Sequence, residues 1–164
     1  MNDTYLHLTL THFPIVGSFI ALVLLFSGYI QKNEGITKAA LYLLVALALV
    51  TIVVNHTGEE AEEFVEHMAG YSHDAIHDHE EMAEWAFRLM LATGIGAAVA
   101  LYLFRKNAAK TWLVVLLVLF GNLFACGLMA WTGKKGGEIR HTEVNSVAEK
   151  TAPTDSNSPS EQPF

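Results

Sequence analysis

Apolar positions along the chain gather into four long blocks, Phe13 to Ile30, Ile36 to Asn55, Met82 to Phe104 and Thr111 to Trp131, separated by polar intervals. A helix needs about 20 mainly apolar residues to cross the hydrocarbon core of a bilayer, and each block meets that length. Lys38 and Arg88 are the basic residues within or at the edge of these blocks. Pro14 suits a first helical turn, where its missing N–H has no partner to lose. Residues 1–12 contain no Lys or Arg, so the first block reads as a retained span rather than a cleaved signal peptide. The pattern predicts an all-α fold: a four-transmembrane-helix bundle of two antiparallel hairpins, with a short amphipathic helix between helices two and three on the outer side.

Composition agrees with this and adds exclusions. Of 164 residues, 52% are hydrophobic and 16% charged, with a net charge of −7; soluble domains average about 25% charged. The length allows one domain, here a four-helix membrane domain over 1–142. An acidic, Ser-, Thr- and Pro-rich tail over 143–164 is expected to be disordered. The acidic balance gives no footprint for nucleic acid. A single cysteine, Cys126, excludes an internal disulfide, a Cys–Cys zinc site and a covalently attached c-type haem.

The charges are segregated. Lys32, Lys38, Arg105, Lys106 and Lys110, against Glu34 alone, lie in or beside the two short connections. The positive-inside rule makes those connections cytoplasmic, and the location expected is a bacterial inner membrane with the N-terminus, the 56–81 connection and the C-terminus outside. Lys134, Lys135 and Arg140 run against this trend. Tyr29, Tyr102 and Trp112 at the inner edge, and Phe13, Trp85 and Trp131 at the outer edge, fit two aromatic belts. Gly17 with Ala21, Gly94 with Ala98, Gly96 with Ala100 and Gly121 with Ala125 have the small-xxx-small spacing used where membrane helices approach closely.

All eight histidines, at 7, 12, 56, 67, 73, 77, 79 and 141, fall on the outer side in this topology. The window from His56 to Glu84 holds five of them with ten acids and no base. Thr57 is expected to cap the short helix, with Ala61, Phe64, Val65 and Met68 as its apolar stripe and Gly70 as its end. A second stretch starts near Ser72, places His73, His77 and Glu81 on one face, and runs directly into span three. His12, His56, His79 and His141 each lie near an outer helix end, where they can converge over the bundle mouth. Arg88 sits about one turn inside span three; Glu84 at i−4 is its plain partner, and a haem propionate is the functional one. Cys126 reads as a small buried hydrophobe.

Four motifs belong together: Leu10-Thr11-His12-Phe13-Pro14-Ile15, Thr57-Gly58-Glu59-Glu60-Ala61-Glu62, His79-Glu80-Glu81, and Thr132-Gly133 with Gly136-Gly137-Glu138-Ile139-Arg140-His141. With them the chain, over residues 1 to about 143, resembles a bacterial family of four-helix inner-membrane proteins of unknown function for which a b-type haem has been suggested. The resemblance implies recurrent roles for His12, His79 and His141, with Gly58, Gly133 and Gly137 at helix ends, and less firmly for His67. His7, His73 and His77 match no family position.

Three functional readings follow. In the leading one, two histidines from among His12, His79, His141 and His56, with Arg88 near a propionate, hold a haem b at the outer mouth for electron transfer with a quinol or a periplasmic carrier. In the second, His67, His79, His141, Glu63 and Glu80 bind a transition metal such as copper or zinc. The third is a non-catalytic membrane scaffold. An independent hydrolase is the poorest fit, because Ser18, Ser27 and Ser72 have no nucleophile motif around them. Lipid is the expected surrounding, and self-association is left open.

Overall fold

A computed structural model describes residues 3–66 and 73–151. Five helices follow in order: α1 (Asp3–Leu10), α2 (His12–Ile30), α3 (Glu34–Glu66), α4 (His73–Arg105) and α5 (Thr111–Thr151). Helices α2 to α5 each carry a segment long and apolar enough to cross a membrane, with mean hydropathy of 1.7 to 2.5. They close into a ring in which α2 touches α3, α3 touches α4, α4 touches α5, and α5 returns to α2. The core between them is Ala21, Leu25, Leu41, Leu44, Met90, Ala97, Val115 and Ala125 with their neighbours.

Outward-facing side chains such as Phe19, Val23, Ile95, Leu117 and Phe124 are large, apolar and exposed. Between 28% and 39% of each apolar window is buried within the bundle. An exposed apolar surface of that extent is far beyond what water tolerates, and it matches lipid. The chain is therefore a multi-pass membrane protein.

Glycines set the closest approaches. A methyl group added at Gly94 would overlap the Cβ of Ala48 across the α3–α4 contact. Ala98, expected to share that interface, is exposed instead.

Both short turns use one device. After α2, the Asn33 N–H reaches back to the Gly28 carbonyl at 3.0 Å, and after α4 the Ala108 N–H reaches the Leu103 carbonyl at 3.2 Å. Each closure needs one left-handed residue, supplied by Lys32 with φ of 52° and Asn107 with φ of 49°. Asn33 then caps α3, its Oδ1 accepting the Ile36 N–H at 3.2 Å. Lys32 lies over the rings of Tyr29 and Trp112 at 4.4 and 4.7 Å, and Trp112 meets Tyr29 and Phe104 edge-on.

At the opposite end the helices differ from expectation in three places. Pro14 lies in the first turn of α2, as the sequence predicts, but a further short helix precedes it: with no N–H at Pro14 the bond to the carbonyl four residues back is missing, and the path divides at Thr11 into α1 and α2. Second, Thr57 does not cap a separate helix. Its hydroxyl turns backward to the Val53 and Val54 carbonyls at 3.1 and 3.0 Å, and extending an existing helix avoids a new nucleation. Span two and the expected amphipathic helix, as far as Glu66, are thus one 33-residue helix, about 50 Å long at 1.5 Å per residue, against a hydrocarbon core of about 30 Å; Met68 and Gly70 of the expected helix lie outside the described residues. Third, α5 runs on to Thr151, because no proline interrupts it before Pro153. Residues 143–151 of the expected tail are therefore helical, while 152–164 lie outside the described residues. Helix α4 begins at His73 and enters its span without interruption, as the sequence pattern predicts.

Candidate functional site

The short helix α1, ahead of the first span, decides which histidine enters the bundle mouth. Helix α1 packs against α3, and this brings His7, half-buried, to the part of α3 around Val54 and Gly58, at the end of the bundle away from the two short turns. His7 Nδ1 lies 3.0 Å from the Val54 carbonyl oxygen. The Thr57 hydroxyl is 3.4 Å from the same nitrogen. Gly58 leaves the room: a methyl group there would come within 2.9 Å of His7 Cε1.

His79, on the first turns of α4, makes the matching contact from the other side. Also half-buried, it sets Nδ1 at 3.1 Å from the Thr132 carbonyl oxygen of α5. One residue earlier, Asp78 pairs with Lys135 of α5 at 3.2 Å and fixes the two helix ends together. Burial holds the His7 ring below the ordinary imidazole range, and a charge on His79 lowers it further.

The tautomers follow from the partners. A carbonyl oxygen only accepts, so Nδ1 of each ring must carry the proton and donate it. In the neutral ring Nε2 then holds a free lone pair. A histidine whose Nδ1–H is held by a backbone carbonyl, leaving Nε2 to bind, is the arrangement usual for metal-ligating imidazole, with the carbonyl fixing ring orientation and raising basicity. Two such rings, from α1 and α4 and anchored on α3 and α5, involve four helices in one pair.

The other expected site residues fall elsewhere. His12 is exposed on α2, its Nδ1 donating to the Leu8 carbonyl at 2.8 Å. His56 is exposed on α3, and His77 on α4 lies 3.9 Å from exposed Glu80. Arg88 is exposed; it pairs with Glu84 and lies over the Trp85 ring at 5.4 Å, so its charge is met without a bound anion. Glu63 and His141 belong to α3 and α5, but their side chains, like all of His67, lie outside the described residues. Among the described residues no group of three or more His, Cys, Asp or Glu gathers for a metal ion.

His7 is the residue that sequence reasoning set aside. Two signals point to it: a proline seven residues on, able to break a helix that had begun before it, and Gly58 within a helix, where a missing side chain makes space for something.

No curated protein and no solved structure matches the chain at a significant level. A family model does match, over residues 4–147, and its description is "Predicted membrane protein (DUF2231)". That match takes in all four membrane-crossing helices, both short turns and both anchored histidines, and the chain accordingly belongs to this family of predicted membrane proteins, a domain of unknown function.

Proposed function

We propose that the chain is a small membrane redox subunit whose His7 and His79 hold a haem b at the end of the bundle opposite the two basic turns. The observation that carries this reading is the pair of Nδ1–H···O=C bonds, to Val54 and Thr132, that leaves two Nε2 lone pairs at one helix-bundle mouth. A b-type haem held from two sides by imidazole needs two histidines and no third protein ligand, and the described residues offer two anchored rings.

Within this reading each residue has a task. Val54 and Thr132 orient the rings and increase electron donation from Nε2. Gly58 admits the His7 ring. The Asp78–Lys135 pair ties α4 to α5 beside His79, so that the ligand-bearing helix ends keep their spacing. When bound, the haem supplies one-electron transfer. Lys32, Lys38, Arg105, Lys106 and Lys110 at the far end support a cytoplasmic placement for the turns; on this reading the site faces the outer side of a bacterial inner membrane, where a quinol or an extracytoplasmic carrier can reach it.

The test is the absorption spectrum of full-length protein extracted from membranes, oxidised and then reduced. A Soret band with sharp reduced-minus-oxidised peaks is expected. His7→Ala and His79→Ala should each abolish the low-spin form, and His12→Ala should leave it intact. A protein without a Soret band after haem supplementation, or loss in His12→Ala with retention in His7→Ala, overturns the reading.

A further inference from the structure

The two short turns meet over one group of aromatic rings. Trp112 of α5 lies edge-on to Tyr29 of α2 and to Phe104 of α4, with ring centroids 5.9 and 5.6 Å apart. Lys32 of the first turn sits over both Tyr29 and Trp112, and Lys38 of α3 sits over Phe104 at 4.9 Å. The rings therefore tie all four spans together at this end, and bases from both turns border a single surface.

That surface carries charge without a counter-charge. Lys32, Lys38, Arg105, Lys106 and Lys110 stand against Glu34 alone, a net of four positive charges, and Glu34 is already paired with Lys38. Lys32, Arg105, Lys106 and Lys110 are exposed, and the ion pairs among the described residues include none of them. Keeping a turn on the cytoplasmic side asks only that it contain bases; it does not ask that they gather from two turns around one ring cluster with no carboxylate to spare. Beside these bases the surface becomes apolar, for Ile30, Tyr102 and Leu113 are large and exposed. A ligand that matches both parts is an amphiphile, anionic at one end and hydrocarbon at the other.

We propose that the turn end is a binding surface for an anionic phospholipid, with the phosphate among Lys32, Arg105 and Lys110 and the acyl chains along Ile30, Tyr102 and Leu113. Basic clusters at the ends of membrane helices attract anionic headgroups, and here the ring contacts hold the Lys32 ammonium in place, which lowers the cost of ordering it. The same arrangement selects against zwitterionic lipid. The ammonium of a choline or ethanolamine headgroup would meet only Glu34, which Lys38 occupies, and four uncompensated bases would repel it. The surface lies at the opposite end from His7 and His79 and does not depend on haem.

The experiment uses full-length protein with Trp85→Phe and Trp131→Phe, which leaves Trp112, half-buried in the ring cluster, as the one tryptophan. The protein is placed in vesicles of phosphatidylcholine with brominated acyl chains, which quench indole fluorescence. Unlabelled phosphatidylglycerol mixed into the vesicles relieves the quenching wherever it displaces phosphatidylcholine. Relief beyond its mole fraction is expected, with phosphatidylglycerol preferred at Trp112 by at least about fivefold, the effect of one base near the surface. Lys32→Gln with Arg105→Gln and Lys110→Gln, all at exposed positions, should bring the preference close to one, whereas Arg88→Gln should leave it in place. Inorganic phosphate should lower it no more than chloride does at equal ionic strength. Equal displacement by the two lipids, a preference that survives the triple substitution or disappears in Arg88→Gln, or one that inorganic phosphate specifically removes, overturns the proposal.

Discussion

The two ends of the bundle are built on opposite principles. At the turn end the groups that close the fold are satisfied within the chain: each turn closes on a helix carbonyl, Asn33 caps α3, Lys38 pairs with Glu34 at 2.7 Å, and Lys32 rests on two aromatic rings. At the other end α3, α4 and α5 run well past their spans, and the two half-buried histidines are held through one nitrogen each. A satisfied end stabilises the helix hairpins. An end that fixes ring orientation and leaves lone pairs uncommitted is equipped to bind. The difference separates residues that hold the fold from residues proposed to bind haem, although both sets lie at helix termini.

Substitutions can break or sharpen that contrast. The largest effect is expected from Gly58→Val, which puts a branched side chain where the His7 ring lies. Haem affinity should fall at least about tenfold, measured by spectral titration, while the thermal midpoint of the bundle in detergent stays nearly unchanged. A large fall in the midpoint with full haem binding would mean that Gly58 serves packing alone. Next comes Gly94→Leu, in mid-bundle, where overpacking against Ala48 should cost about 1–3 kcal/mol in stability and leave the spectrum's peak positions where they were. Asn33→Ala, at the satisfied end, removes a cap and should cost about 1 kcal/mol, again without a spectral change. The smallest effect belongs to Lys32→Gly. Relief of the left-handed conformation, about 1 kcal/mol, offsets loss of the cation–π contacts, about 0.5–1 kcal/mol, so the midpoint should hardly move.

Much of this architecture was legible because lipid imposes simple demands on sequence. Four apolar blocks, basic residues at two short turns, and the unbroken passage from His73 into its span followed from length and charge. The histidine end was harder to read because its outcome rests on choices that periodicity does not encode. The Thr57 hydroxyl can bond forward as a cap or backward to the previous turn, and the backward choice fuses two expected helices. Pro14 marks the first turn of α2 as expected, but nothing in the apolar pattern announces the short helix α1 ahead of it. The partner of His7 is a backbone carbonyl 47 residues away, a contact made by folding rather than by spacing. His79 could be singled out from its place beside a span; His7 could not, since its partner helix is chosen by the packing of α1 on α3.

The central claim is that His7 and His79 present Nε2 lone pairs for ligation, and nitrogen-15 NMR of histidine-labelled, haem-free protein tests it most directly, with His7→Ala and His79→Ala assigning the signals. The account predicts two rings with Nδ1 protonated and Nε2 bare, whose Nε2 signals move or vanish together when haem is added. Rings protonated at Nε2, or signals from His7 and His79 that stay put while haem binds, would contradict it.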